Sequence, residues 1–193
     1  MSCTVRRGMC QSRSGERVMH RVAGPILIAF LSFIALPAAA LAQLPKPTSK
    51  LIVPGASIGG VRQGMSLAAV RKAWGPGGIS QTGGACRVGQ GACIWTGASS
   101  KERALLRIAD NGTVAGVTIM GGPASPLARL KTSQGFGLGT KLAALKKAYP
   151  GVLPSPAGLV DPDGTGSVFV VKKTAFFISR SNGTVIGIGI ASS

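Results

Sequence analysis

Leu67, Val70 and Trp74 recur at intervals of three and four residues among small and charged neighbours, the spacing of one face of an α-helix. Ser66 stands before them as an N-cap and Gly75-Pro76 stops the run behind, so a short amphipathic helix is predicted between. Leu142, Leu145 and Tyr149 repeat the interval, with Thr140 as the expected cap and Pro150-Gly151 as the stop. Helices this short do not persist alone in water and must be held by packing on a sheet. Behind each helix the period falls from about 3.6 residues to about 2. That change predicts strands at 92–97, 103–109 and 113–120 after the first helix, and at 166–171, 174–181 and 184–190 after the second. Asn111-Gly112 and Asn182-Gly183 mark a tight hairpin before the last strand of each set. In those last strands Ala115, Val117 and Ile119 match Ile186, Ile188 and Ile190 and are expected to face the helices. Gly116, Thr118, Gly187 and Gly189 are then left on a low, open outer face.

The two sets answer each other. Gly64-Met65-Ser66-Leu67-Ala68-Ala69-Val70-Arg71-Lys72-Ala73-Trp74-Gly75 returns as Gly139-Thr140-Lys141-Leu142-Ala143-Ala144-Leu145-Lys146-Lys147-Ala148-Tyr149-Pro150. The expected fold class is α+β: two tandem helix-plus-antiparallel-hairpin repeats, about 58–122 and 132–191, sharing one antiparallel sheet with short helices packed on one face. Gly121-Gly122-Pro123-Ala124-Ser125-Pro126 is the natural joint, and 58–193 forms a single domain. Residues 43–57 carry Pro45, Pro47 and Pro54 and are expected to be a disordered linker.

Residues 1–42 read as a secretory signal peptide. Arg13, Arg17 and Arg21 precede an apolar core from Ile26 to Leu36, and Ala40-Leu41-Ala42 places cleavage between Ala42 and Gln43. An uncleaved anchor is the alternative, since the apolar run is about long enough to span a bilayer. Translation starts at Met1, Met9 or Met19 are all open. The expected location is exported, periplasmic or extracellular.

Export changes the meaning of the composition. Residues 43–193 keep 17 Lys and Arg against Glu102, Asp110, Asp161 and Asp163, a net charge of +13. Such a balance favours association with anionic polymers or surfaces. Outside the cell the anion is phospholipid headgroup, envelope polysaccharide or teichoic acid, and no nucleic acid is expected. The alternative is a scattered solvated exterior, because no run of cations exceeds two. His20 is the only histidine and lies in the removed segment, which excludes Ser-His and Cys-His nucleophile pairs, imidazole acid–base work and His-ligated zinc. Cys3 and Cys10 leave with it. Cys86 and Cys93 then stand in an oxidising compartment and read as an intrachain disulfide pinning a Gly-rich loop. A redox or metal role is the alternative, without the C-x-x-C spacing or further ligands.

Gly60, Arg62, Gly64, Met65 and Ser66 before a short helix ending in Trp74-Gly75, then a hairpin bearing Cys86 and Cys93, resemble the β-lactamase inhibitory protein family and its exported relatives. Gly139, Thr140, Tyr149 and Pro150 carry the likeness into the second copy. The opening is also similar, more weakly, to the small outer-membrane assembly lipoproteins, which carry an acylated Cys lacking here. Members of the inhibitor family grip an enzyme on a concave sheet face lined with aromatic and charged side chains, with a cysteine staple in each repeat. The resemblance implies the two-repeat architecture and a protein-docking role, while this chain holds one staple and few aromatics.

Several residues are candidates for function. Arg71-Lys72 and Lys146-Lys147 lie off the apolar side of their helices, as two anion-binding spots or as solvated faces. Trp95, just after Cys93, is a candidate partner contact because Trp is enriched at interface hot spots. Trp74 and Tyr149 are expected to plug the gap between helix and sheet. Asp161-Pro162-Asp163-Gly164-Thr165-Gly166 reads as a turn entering a strand, with calcium and a paired-carboxylate hydrolase site as its rivals. The leading expectation is a non-catalytic module that binds an envelope or extracellular protein. The alternative is an envelope-associated protein held by charge on anionic polymer or lipid. No cofactor is expected, and the sequence sets no oligomeric state.

Overall fold

The computed structural model describes residues 43–80, 84–155 and 166–191, all within one compact unit. The signal peptide expected over 1–42, Ala42 included, and the carboxylate cluster at Asp161 and Asp163 lie outside the described residues.

Residues 43–57 are built into the fold, which corrects the expectation of a disordered linker. The backbone N–H groups of Lys46 and Thr48 donate to the carbonyls of Trp74 and Ala73 at 3.0 and 2.9 Å. The last carbonyls of a helix have no partner within it, and this segment supplies one. Strand β1 (Leu51–Val53) then buries Ile52 and pairs antiparallel with β2 (Ser57–Ile58), which pairs with β3 (Val61–Arg62). Ile52 and Ile58 face each other in that register, and both are buried.

Helix α1 (Leu67–Trp74) starts as expected: Ser66 is extended and its hydroxyl accepts the Ala69 N–H at 3.3 Å. Leu67, Val70 and Trp74 are its buried residues, and Gly75 at φ 85° ends it. Strands β4 (Ile79–Ser80), β5 (Ala92–Thr96), β6 (Arg103–Ile108) and β7 (Val114–Met120) follow. A 3-10 turn at Pro126–Arg129 leads to β8 (Lys131–Thr132), which pairs parallel with β1 and completes a four-stranded sheet. Helix α2 (Leu142–Ala148) comes next, and here the expected cap is displaced. Lys141 occupies the N-cap with no side-chain bond, because Thr140 sits one residue too early and its hydroxyl accepts the Gly137 N–H instead. Strands β9 (Leu153–Pro154), β10 (Gly166–Val171), β11 (Thr174–Ser179) and β12 (Val185–Ala191) close the chain.

The fold is α+β with mostly antiparallel sheet. Among the described residues eight strands form one sheet in the order β4-β5-β6-β7-β12-β11-β10-β9, and the small four-stranded sheet is an addition to the single sheet expected. Across the large sheet Trp95, Ala104, Ile119, Ile188, Phe176 and Phe169 stand opposite one another, and all are buried. Each large member of this row contributes about 1.5–3 kcal/mol by leaving water. One step along, Ile94, Leu105, Thr118, Gly189, Ala175 and Val170 form the row on the opposite face.

Two details depart from strict alternation. Ladder slips fall at Arg107/Ile108 and at Phe177/Ile178, where Ile108 pairs with Val114 and Ile178 with Val185. Ala115 and Ile186 are therefore the extra bulge residues, half-buried, while Val114 and Val185 take the buried positions expected one residue later. The outer face at Gly187 and Gly189 is also not open. A Cβ at Gly187 would stand 2.9 Å from the Phe177 ring, and one at Gly189 would stand 2.8 Å from Thr118 Oγ1. The glycines are notches that neighbouring side chains fill.

Candidate functional site

The C-terminal end of α1 packs Trp74, whose indole N–H donates to the Gly59 carbonyl at 3.2 Å. Trp95 meets it edge-on, with ring centroids 5.6 Å apart and planes at 84°. Trp95 is 1% exposed, which removes it from the candidate partner contacts and makes it a core residue. Its strand register points it inward, and the sequence signal that singled it out was residue type alone. Among the described residues the Trp95 Nε1–H has no hydrogen-bond partner. Tyr149, at the matching place after α2, is half-buried and tilts against Phe136 at 5.7 Å.

The helix cations have different surroundings. Arg71, Lys72, Lys146 and Lys147 are all exposed. Arg71 Nη2 donates to the Cys86 carbonyl at 2.6 Å, while Lys146 Nζ lies 5.2 Å from the centre of the Phe169 ring. Across the described residues 17 Lys and Arg face two carboxylates, Glu102 and Asp110, so most of the cations have no carboxylate to neutralise them.

Cys86 and Cys93 are paired as a disulfide with Cα atoms 5.6 Å apart. That pairing is compatible with an oxidising, exported compartment. The pinned loop is folded further by the Gln90 side-chain carbonyl, which accepts the Arg87 N–H at 2.9 Å. The loop then leans on the Asn111-Gly112 turn: a Cβ on Gly112 would stand 2.9 Å from Val88. Between the loop, the turn and the first turns of α1 lies an open cavity of about 530 Å³. Leu67, Cys86 and Val88 supply apolar lining, and Arg71, Arg87 and Asn111 supply polar groups. Asn111 Oδ1 is already taken by the N–H and hydroxyl of Thr113, at 3.1 and 2.7 Å.

Arg71 and the cysteine pair are thus brought together, while Lys72, Lys146 and Lys147 line no part of this cavity. Gln43, the residue after the expected cleavage point, is exposed. Sequence reading passed over Arg87 and Asn111. Arg87 directly follows a stapled Cys, a signal that was there to use, but Asn111 looked like turn chemistry and nothing more. Among the described residues no three His, Cys, Asp or Glu side chains stand together as metal ligands, and no described helix is long and apolar enough to cross a membrane. Compared with protein-family models, curated proteins and solved structures, the chain matches none.

Proposed function

We propose that this is an exported, non-catalytic binding protein that docks by charge on an anionic polymer or lipid surface of the cell envelope. The observation that carries the reading is the excess of 17 cations over two carboxylates among the described residues, with Arg71, Lys72, Lys146 and Lys147 exposed. The absence of histidine from 43–193 supports a binding role over acid–base catalysis at neutral pH. Co-sedimentation with phosphatidylglycerol vesicles and with isolated cell walls tests it. Binding falls steeply from low to high salt, because exposed charges are screened within about 10 Å at 0.1 M ionic strength and about 3 Å at 1 M. Binding indifferent to salt sinks the reading.

A second reading, docking of an envelope or extracellular protein on the outer sheet face, is favoured by the half-buried apolar residues Ile94, Leu105, Ala175 and Val170 in one row. Replacing Leu105 with Lys abolishes capture of such a partner and leaves vesicle binding intact.

The proposal includes the tandem architecture and, with it, the resemblance to the β-lactamase inhibitory protein family. Matching bonds support the duplication. Gly64 N–H donates to the Val114 carbonyl and Gly139 N–H to the Val185 carbonyl, both at 2.8 Å. Asn111 and Asn182 each accept from the N–H and hydroxyl of the Thr two residues on. Expressed alone, the segment 132–191 supports two equivalent blocks by dimerising into a sheet of its own, and counts against them by staying monomeric and unfolded.

A further inference from the structure

We infer that the cavity between α1, the Cys86–Cys93 loop and the Asn111-Gly112 turn is a binding pocket for an oxyanion head, phosphate or carboxylate, attached to a short apolar body. This narrows the charge-docking proposal to one place and rests on it. Two arginines, Arg71 and Arg87, line the pocket, and no described carboxylate residue does. Guanidinium is the side chain best shaped for phosphate or carboxylate, because its N–H groups pair with two oxygens at once. Arg71 is pre-positioned: one nitrogen is tied to the Cys86 carbonyl at 2.6 Å, and its remaining N–H groups are left for a ligand. Arg87 comes from the facing wall, on the residue next to the stapled Cys86. Asn111 adds donors, since its Oδ1 is occupied by Thr113 and its Nδ2 amide has no described acceptor.

The apolar body follows from the rest of the lining. Leu67 and Val88 border the same space, and Val88 is 60% exposed, a large apolar side chain left in water beside two cations. A bare inorganic anion leaves that surface wet, whereas an alkyl chain covers it. The volume of about 530 Å³ lies within the usual range of small-ligand sites, about 300–1,000 Å³. Among the described residues the second helix does not repeat this arrangement. Lys146, at the position matching Arg71, lies over the Phe169 ring, and no cysteine loop faces it.

Titration calorimetry on the protein with octyl phosphate, inorganic phosphate and octyl glucoside tests the inference, beside the vesicle assay. Octyl phosphate saturates a single site, octyl glucoside binds at least tenfold more weakly, and Arg71→Gln with Arg87→Gln weakens octyl phosphate about tenfold or more. Lys146→Gln with Lys147→Gln removes the same charge and changes octyl phosphate binding less than about twofold, since those lysines lie outside the pocket. Arg87→Gln alone, at an exposed side chain, gives the same direction of loss should the Arg71 variant unfold. Equal losses from the two charge-matched pairs overturn the pocket and leave the charge-docking reading in place. Inorganic phosphate binding as tightly as octyl phosphate overturns the apolar body. No binding of octyl phosphate, with salt-sensitive vesicle binding retained, overturns the pocket alone.

Discussion

The segment from Gly64 to Met120 and the segment from Gly139 to Ala191 hang on corresponding hydrogen bonds, yet only the first closes over its helix end. In the first, Trp74 is buried, donates to Gly59 and stands edge-on to Trp95. In the second, Tyr149 is half-buried and leans on Phe136. The first carries a disulfide loop that presses on its hairpin and walls a cavity, while the second has a bare hairpin and a lysine over an aromatic ring. Backbone pairing sets the frame of each segment, and side chains decide whether that frame becomes a sealed core or a surface.

The largest expected effect tests the sealing. Trp74→Ala removes a fully buried indole and its hydrogen bond, and costs about 3–5 kcal/mol. Tyr149→Ala, at a half-exposed ring, costs about 1–2 kcal/mol because less area leaves the interior. Urea unfolding of the two variants reads the difference as a shift in midpoint at constant slope. Equal losses would mean that the two helix ends are packed alike after all.

What was legible in the sequence follows the same division. The two helices, strands β5–β7 and β10–β12 and the cysteine pairing are local or periodic signals, and they were readable from Leu67, Val70 and Trp74, from Asn-Gly, and from two cysteines in a chain expected to be exported, whereas the short strands β1–β4, β8 and β9 carry no such signal. The bulges at Ala115 and Ile186 were not, because one extra residue leaves the apolar alternation almost unchanged while moving each buried side chain by one. The role of 43–57 was hidden by its prolines, since what orders it is the set of unpaired carbonyls at the end of α1, a partner distant in sequence. Trp95 was misread because residue type carries no record of which face of a strand it occupies. Arg87 and Asn111 come from a loop and a turn that meet only in three dimensions.

Next in size is the staple. Replacing Cys86 and Cys93 together with Ser opens a short loop and costs about 2–3 kcal/mol in the chain-entropy account. In the intact protein, reductant lowers the unfolding midpoint by the same amount and has no effect on the double variant. A wild-type midpoint that ignores reductant breaks the contrast between a pinned first hairpin and an unpinned second.

The two Asn-Gly turns sharpen it further. Gly112 and Gly183 have φ of 78° and 62°, so alanine is strained in both, by about 1–2 kcal/mol. Around Gly183 a Cβ meets nothing, whereas at Gly112 it runs into Val88. Gly112→Ala therefore costs more than Gly183→Ala by about 1 kcal/mol, the usual order for crowding in a packed place. Equal costs mean that the loop yields freely.

The smallest effect separates the two tryptophans themselves. Both are 1% exposed and touch each other, so replacing either with Phe removes similar area and leaves a similar gap. They differ in one bond: Trp74 donates to the Gly59 carbonyl, and the Trp95 indole N–H has no partner among the described residues. Losing a made bond costs about 0.5–1.5 kcal/mol, and it strands the Gly59 carbonyl as well, whereas deleting an unpartnered buried donor relieves a desolvation penalty of about 1–3 kcal/mol. Trp95→Phe is therefore the milder of the two by at least about 1 kcal/mol in urea unfolding. If instead Trp95→Phe proves the more damaging, the indole N–H of Trp95 has found a partner in solution, and the first segment is wetter at its centre than its packing implies.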